Sequence, residues 1–367
     1  MINVIKLNKI SDKVLDILKD NYKVEENIAN PEAALVRSFS MHEWEVPASL
    51  LCVARAGAGV NNIPFDAYRE KGIVVFNTPG ANANAVKELV IASMLLAARN
   101  LVGAIKWANA LTGDDVAKQV EKGKGQFVGT EIMGKTLGVL GLGAIGRKVA
   151  LTALALGMKV IGFDPFLSDA AKAELKDVTI YSDMKDVIKE SDFISLHMPY
   201  TKENKELINA SLISEMKDGV IIINAARGEL VNVSDIKAAI NSGKVRSYVV
   251  DFPDANCINS DGIIAIPHLG ASTEEAEDNC AIMAAEEIKE FIETGNIYNS
   301  VNFPTVKAEK RSAHRATVFA NASFNSPQIV AKADSKGIVY AILESDTAFD
   351  KSALEAMDGV IRARVIY

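Results

Sequence analysis

Apolar residues in the first quarter of the chain come in short runs, at 3–6, 33–36, 50–54 and 73–76. Runs this short, closed by turn residues, predict buried parallel strands. Ser11 stands where a helix cap belongs and predicts a helix to about residue 21. A longer helix is predicted over 84–99, then a loop at Gly123-Lys124-Gly125. From Lys135 a second alternation begins, with strands expected at 136–140, 159–163, 193–196, 220–223, 247–250 and 263–266 and helices at 144–156, 184–190 and 234–241. Strands alternating with helices predict an α/β protein with doubly wound parallel sheets. Residues 272–294 read as one long helix, with Ser272 and Glu275 as a capping box. After Pro304 the pattern changes to strands at 316–319, 337–343 and 360–366 and a helix at 351–357, a small α+β tail.

A chain of 367 residues has room for two or three domains with ample core. The formal net charge of −7 argues against a nucleic-acid partner. Cys52, Cys257 and Cys280 lack CxxC spacing, so neither a disulfide framework nor a metal site is expected. The longest apolar run, 89–98, is about half the ~20 residues that a membrane helix needs. The first residues lack a signal-peptide pattern. The expectation is a cytoplasmic protein with no membrane partner.

Gly141-Leu142-Gly143-Ala144-Ile145-Gly146 lies between a predicted strand and a predicted helix. In that setting two glycines let the backbone turn and approach a pyrophosphate, and the third lets helix and strand pack closely. The helix N-terminus then offers N–H groups to the phosphates. The next strand ends at Asp164, whose carboxylate accepts from ribose hydroxyls and repels a 2′-phosphate, favouring NAD. An ordinary glycine turn beside a solvated Asp is the alternative, and the strand–loop–helix–strand–acid order argues against it.

Ligands of open α/β sheets bind beyond the carboxyl ends of the strands. There the chain places His197-Met198-Pro199, Asn224-Ala225-Ala226-Arg227-Gly228, Asp251 and Pro267-His268-Leu269-Gly270. Taken singly, each is an ordinary turn residue. Together they make a toolkit: Arg holds a carboxylate in a planar fork, and His exchanges a proton near neutral pH. Hydride transfer from a 2-hydroxy acid needs both, beside a nicotinamide.

These motifs, with Arg55-Ala56-Gly57-Ala58-Gly59 and Asn77-Thr78-Pro79, run from about Leu51 to Pro304. Over that length the chain resembles the D-2-hydroxyacid dehydrogenase family, most closely its D-3-phosphoglycerate dehydrogenase branch. The resemblance implies a flavodoxin-like substrate lobe of residues 1–98 and 276–303, a Rossmann NAD lobe of 99–275, hinge closure between them, and a homodimer. It implies NAD-dependent oxidation of a phosphorylated hydroxy acid at C2, 3-phosphoglycerate to 3-phosphohydroxypyruvate, at the entry to serine synthesis. Arg227 would hold the substrate carboxylate and His268 would be the acid–base. Gly141, Gly143, Ala144, Ile145, Gly146, Asp164, His197, Pro199, Ala225, Arg227, Asp251, His268 and Gly270 would form the cofactor site. Arg55, Ala56, Gly57 and Asn77 would join Arg227 and His268 at the substrate, with Arg55 at its phosphate. The rival readings are a dehydrogenase of glycerate, hydroxypyruvate or lactate, and an NAD(H)-sensing binding protein on the same fold.

Two departures from the family stand out. It places a Glu after the Asp of the fifth strand to pair with the catalytic His, and here no Glu occurs between Leu230 and Glu274. Asp254 is the nearest acidic candidate for that role. The tail, 304–367, ends like the last strand of an ACT-type regulatory domain, yet Asn321 to Pro327 replaces the ligand-binding Pro-Gly turn. That implies an abbreviated ACT-like domain serving assembly rather than serine feedback.

Overall fold

The computed structural model describes residues 1–367, which divide into two compact units, Met1–Asn82 with Glu274–Tyr367, and Ala83–Thr273. No single helix is long and apolar enough to cross a membrane.

The first unit opens with β1 (Ile2–Lys6), β2 (Tyr22–Glu25), β3 (Ala33–Val36), β4 (Cys52–Arg55) and β5 (Val74–Asn77). They form a parallel sheet in the order β2-β1-β3-β4-β5, the flavodoxin-like order. Every residue of β3 is buried, which explains its unbroken apolar run. The helix expected from Ser11 to about residue 21 is only Val14–Ile17. Asp20 turns the backbone with a left-handed φ of 54° and leads into β2, whose half-polar sequence hid it from the apolar pattern. The helix Glu274–Thr294 lays Ala281, Ala284, Ala285, Ile288 and Phe291 against this sheet.

The second unit contains β6 (Thr136–Leu140), β7 (Lys159–Phe163), β8 (Thr179–Ile180), β9 (Phe193–Leu196), β10 (Val220–Asn224), β11 (Val245–Val250) and β12 (Ile263–Ala265). All pair parallel, in the order β12-β11-β10-β9-β6-β7-β8. Strand order reverses at β6 and β9, the switch point at which such sheets bind ligands. The helix Ala83–Ala98 corrects the expected lobe boundary. Its Val86, Val90, Met94 and Ala97 share a core with Val139, Val149 and Ala153, so it belongs to the second unit.

The tail shares part of its core with the first unit and keeps a second core of its own. β13 (His314–Asn321), β14 (Ile329–Ser335), β15 (Ile338–Ser345) and β16 (Val360–Val365) form an antiparallel sheet in the order β14-β15-β13-β16. Phe319, Tyr340 and Ile342 on one face join Phe76, Phe291 and Phe303 of the first unit. The other face carries Val318, Phe324, Leu343 and Leu354. A short helix, Lys351–Glu355, links β15 to β16, while the link from β13 to β14 at 322–328 has none.

The polar contacts under this sheet are buried as well. Arg315, 1% exposed, pairs with Glu344 and donates to the carbonyls of Thr294 and Ala308. Arg364 donates to the carbonyls of Phe291 and Ile292, and the Tyr340 hydroxyl donates to that of Gly295. Of these, the carbonyls of Ile292 and Thr294 lie in the last turn of the helix Glu274–Thr294, where C=O groups lack helical partners.

Candidate active site

The dinucleotide loop lies between β6 and the helix Ala144–Ala155. Gly141 has φ 94°, and a Cβ there would stand 2.7 Å from the carbonyl oxygen of His197. A Cβ on Gly146 would strike the carbonyl of Gly141. Gly143 differs: its Cβ would meet nothing within 4 Å, so its bare backbone faces open space at the helix start. No side chain caps that helix, which leaves its first N–H groups free to take phosphate oxygens. Asp164, just past β7, accepts from the N–H groups of Leu142 and Phe166 and so ties the loop to the ribose-reading position. Together the open backbone at Gly143, the free helix end and the acidic residue fit NAD.

His197 follows β9. Its ring hydrogen-bonds Ser195 Oγ at 2.7 Å, and burial pushes its pKa down to about 4, so it is neutral at physiological pH. It contributes backbone against Gly141 and not a charge. Pro199 is exposed just beyond it, its carbonyl accepting from Asn204.

The loop after β10 is shaped by Asn224, which is fully buried. Its Oδ1 accepts from the N–H groups of Ala226 and Arg227, and its Nδ2 donates to Arg227 O and Tyr248 Oη. That knot presents Ala225 half-buried and Arg227 exposed. Asp251, after β11, is 2% exposed and accepts from the N–H groups of Leu269 and Gly270 at 2.7 and 2.9 Å. Burial raises its pKa, against the pull of those N–H donors. Asp251 thereby holds the turn that carries His268, whose φ of 53° is left-handed and needs such support. Glycine suits position 270, since a Cβ there would crowd Asp251 Oδ2 at 3.0 Å. His268 itself is exposed.

The expected pairing of Asp254 with His268 is not made. Asp254 accepts from the backbone N–H groups of Asn256 and Cys257 and from Asn256 Nδ2. Burial opposes its ionisation, but these donors outweigh burial and hold the carboxyl below its usual range. A short side chain just after Pro253 is consumed by its own turn. No three His, Cys, Asp or Glu side chains are placed to hold a metal ion.

In the first unit, Arg55 and Asn77 end the neighbouring strands β4 and β5 and are register partners. Arg55 Nε donates to Arg37 O, and its guanidinium lies where a Cβ on Gly57 would be. Asn77 Nδ2 donates to Ala58 O at 2.6 Å, and Ala56 is buried beside them.

Reading strand ends for charge passes over Ser195 and Phe252 and takes Asn224 only as part of its motif. Phe252 touches both Arg227 and His268, with Arg227 Cζ 5.2 Å from its ring centroid and the imidazole centroid at 4.2 Å. The only available signal was position, the first residue after a strand-end Asp.

Residues 91–270 match the family model described as D-isomer specific 2-hydroxyacid dehydrogenase, NAD binding domain. A hydroxypyruvate reductase of Thermotoga maritima is 40% identical over 253 residues, 66% of this chain and 78% of that protein. A D-3-phosphoglycerate dehydrogenase of Methanocaldococcus jannaschii is 34% identical over 330 residues, 84% of this chain and 61% of that protein. A crystal structure of NAD⁺-bound 3-phosphoglycerate dehydrogenase from Entamoeba histolytica matches with a TM-score of 0.63 and 26% identity, covering 82% of this chain and 98% of that one. The chain spans 61% and 52% of the first two phosphoglycerate dehydrogenases that it matches. Its glycine loop, its strand-end Arg and His and these similarities agree: the chain belongs to the D-isomer-specific 2-hydroxyacid dehydrogenase family and carries that family's NAD-binding domain.

Proposed function

We propose that this protein oxidises D-3-phosphoglycerate to 3-phosphohydroxypyruvate with NAD, the entry step of serine synthesis. The observation that carries the chemistry is the exposure of Arg227 and His268 at the carboxyl ends of one parallel sheet, both against the ring of Phe252. The named phosphoglycerate dehydrogenases among its relatives support the substrate. Bound NAD supplies the hydride acceptor. Arg227 holds the substrate carboxylate in its two-pronged fork, which orients C2. An imidazole nitrogen of His268 takes the C2 hydroxyl proton as the hydride leaves. Asp251 keeps the His268 turn in place, and Asn224 does the same for the Arg227 loop. Arg55 is assigned to the phosphate and Asn77 to the substrate.

The test is the initial rate of NADH formation with 3-phosphoglycerate, D-glycerate and D-lactate, with His268→Ala as control and Arg55→Gln for the phosphate. Turnover confined to the phosphorylated acid, lost in His268→Ala and reduced in Arg55→Gln, is the expected result. Turnover of an unphosphorylated acid instead replaces the substrate and keeps the chemistry. NADH binding with no turnover of any acid gives precedence to a cofactor-sensing role.

A second copy of the chain is the proposed partner. The helix Leu101–Asn109 buries no residue, and Val102 and Ile105 on it are 45% and 55% exposed. Such an apolar surface marks an association site. A monomeric mass by light scattering would refute it. The tail is proposed as an ACT-like module kept for assembly. Its strand order and its single helix support this, and serine is expected to leave the rate unchanged. A reducing cytoplasmic setting suits the three unpaired cysteines.

A further inference from the structure

Phe252 sits under two constraints. It follows Asp251, whose carboxylate is fixed by the N–H groups of Leu269 and Gly270. It precedes Pro253, whose ring disfavours helical backbone in the residue before it. The segment is also packed closely, since a Cβ on Gly228 would stand 3.0 Å from Phe252 O. Its backbone is thus held in place, and its ring touches two polar side chains from two other strand ends. The His268 imidazole lies 4.2 Å away, centroid to centroid, tilted by 43°, and Arg227 Cζ lies 5.2 Å from the ring centroid. Both partners are otherwise lightly held. The Arg227 guanidinium donates to Ala226 O, and Asp254 spends its oxygens on its own turn instead of on the imidazole.

We propose that Phe252 is the shared positioning residue of the site, a single aromatic platform that sets the direction of the His268 imidazole and of the Arg227 guanidinium together. An aromatic face attracts a guanidinium and favours a tilted partner ring, and an aliphatic side chain of similar bulk does neither. The two roles that hydride transfer divides between acid–base and carboxylate clamp are thereby aligned by one ring. A shift of either group by about 1 Å costs roughly 100-fold in rate. The cavity of about 830 Å³ lined by Phe252, Asp254 and His268 leaves room for a larger aromatic group.

The proposal rests on the dehydrogenase reading, and the test separates the two. Phe252→Leu, Phe252→Tyr and Phe252→Trp are compared with the native protein for kcat, KM and NADH affinity. The expected result is a fall in kcat/KM of about 10- to 100-fold in Phe252→Leu, shared between a lower kcat and a higher KM, with NADH affinity kept and with both aromatic variants close to native. Native kcat/KM in Phe252→Leu overturns the proposal, as does equal loss in all three variants. If the native protein turns over no hydroxy acid, the dehydrogenase reading fails and the platform is still decided by NMR. The His268 ring protons, assigned through His268→Asn, carry a ring-current shift that Phe252→Leu removes while His42, His197 and His314 stay put. Unmoved His268 signals overturn it.

Discussion

The second unit keeps two polar side chains beyond its strand ends on the surface, whereas the first unit buries charged side chains. In the second unit Arg227 and His268 are exposed, and the buried polar groups beneath them, Asn224 and Asp251, serve backbone N–H and carbonyl groups. In the first unit Arg315, Glu344 and Glu287 are 1%, 6% and 0% exposed. The same kinds of side chain therefore do two jobs. Loops beyond the ends of parallel strands are not needed to fill a core, so their residues can stay solvated for a ligand. A sheet laid against the end of a helix must meet the carbonyls left open there, and buried arginines do so for the tail.

The largest effect that bears on this contrast is expected from Arg315→Ala. It leaves Glu344 buried without its cation and should lower stability by about 3–5 kcal/mol in urea unfolding. An unchanged midpoint would remove the structural role given to the buried pair. Glu287 is next. Burial raises its pKa from 4.5 to about 8, with Asn299 pulling the other way. The folded state then holds the proton more tightly than the unfolded chain. The associated stability is complete below pH 4.5 and is lost as pH rises towards 8, by about 1.4 kcal/mol per pH unit. Glu287→Gln should remove that slope, and parallel melting curves for the two proteins between those pH values would contradict it.

In the second unit the effects should fall on ligands. Gly143→Val places its side chain in open space, so the melting temperature without cofactor should hold while NAD binds at least about tenfold more weakly, ~1.4 kcal/mol. Unaltered NAD affinity would move the phosphates away from this loop. Asp254→Ala is expected to do least. It gives up the hydrogen bonds from Asn256 and Cys257, worth about 1 kcal/mol, and leaves turnover intact. A loss of turnover by orders of magnitude would restore Asp254 as the partner of His268.

The site was legible where local chemistry is demanding. Gly141 needs a positive φ and Gly146 a close approach, and both needs show in the order of glycines alone. Arg227 and His268 stand out in the sequence because strand ends follow from short apolar runs, and the structure leaves both exposed there. Phe252 was not found, because an aromatic residue after a strand gives no sign of what its ring will face. Asp254 misled because nearness in sequence to a strand end says nothing about which donors a short carboxylate will meet first. β14 escapes the apolar pattern as an alternating edge strand, three of whose seven residues are exposed and none buried.

By itself the amino-acid order determined the two parallel α/β alternations, the dinucleotide loop and the choice of Arg227 and His268. Each rests on period or on the backbone needs of a few adjacent residues, which do not depend on distant parts of the chain. Tertiary structure alone decided that the helix Ala83–Ala98 joins the second unit, that the tail sheet seals the end of the helix Glu274–Thr294, and that the Phe252 ring lies against both Arg227 and His268. Those outcomes turn on which buried faces and unpaired carbonyls meet across long stretches of sequence, and only the packed chain brings them together.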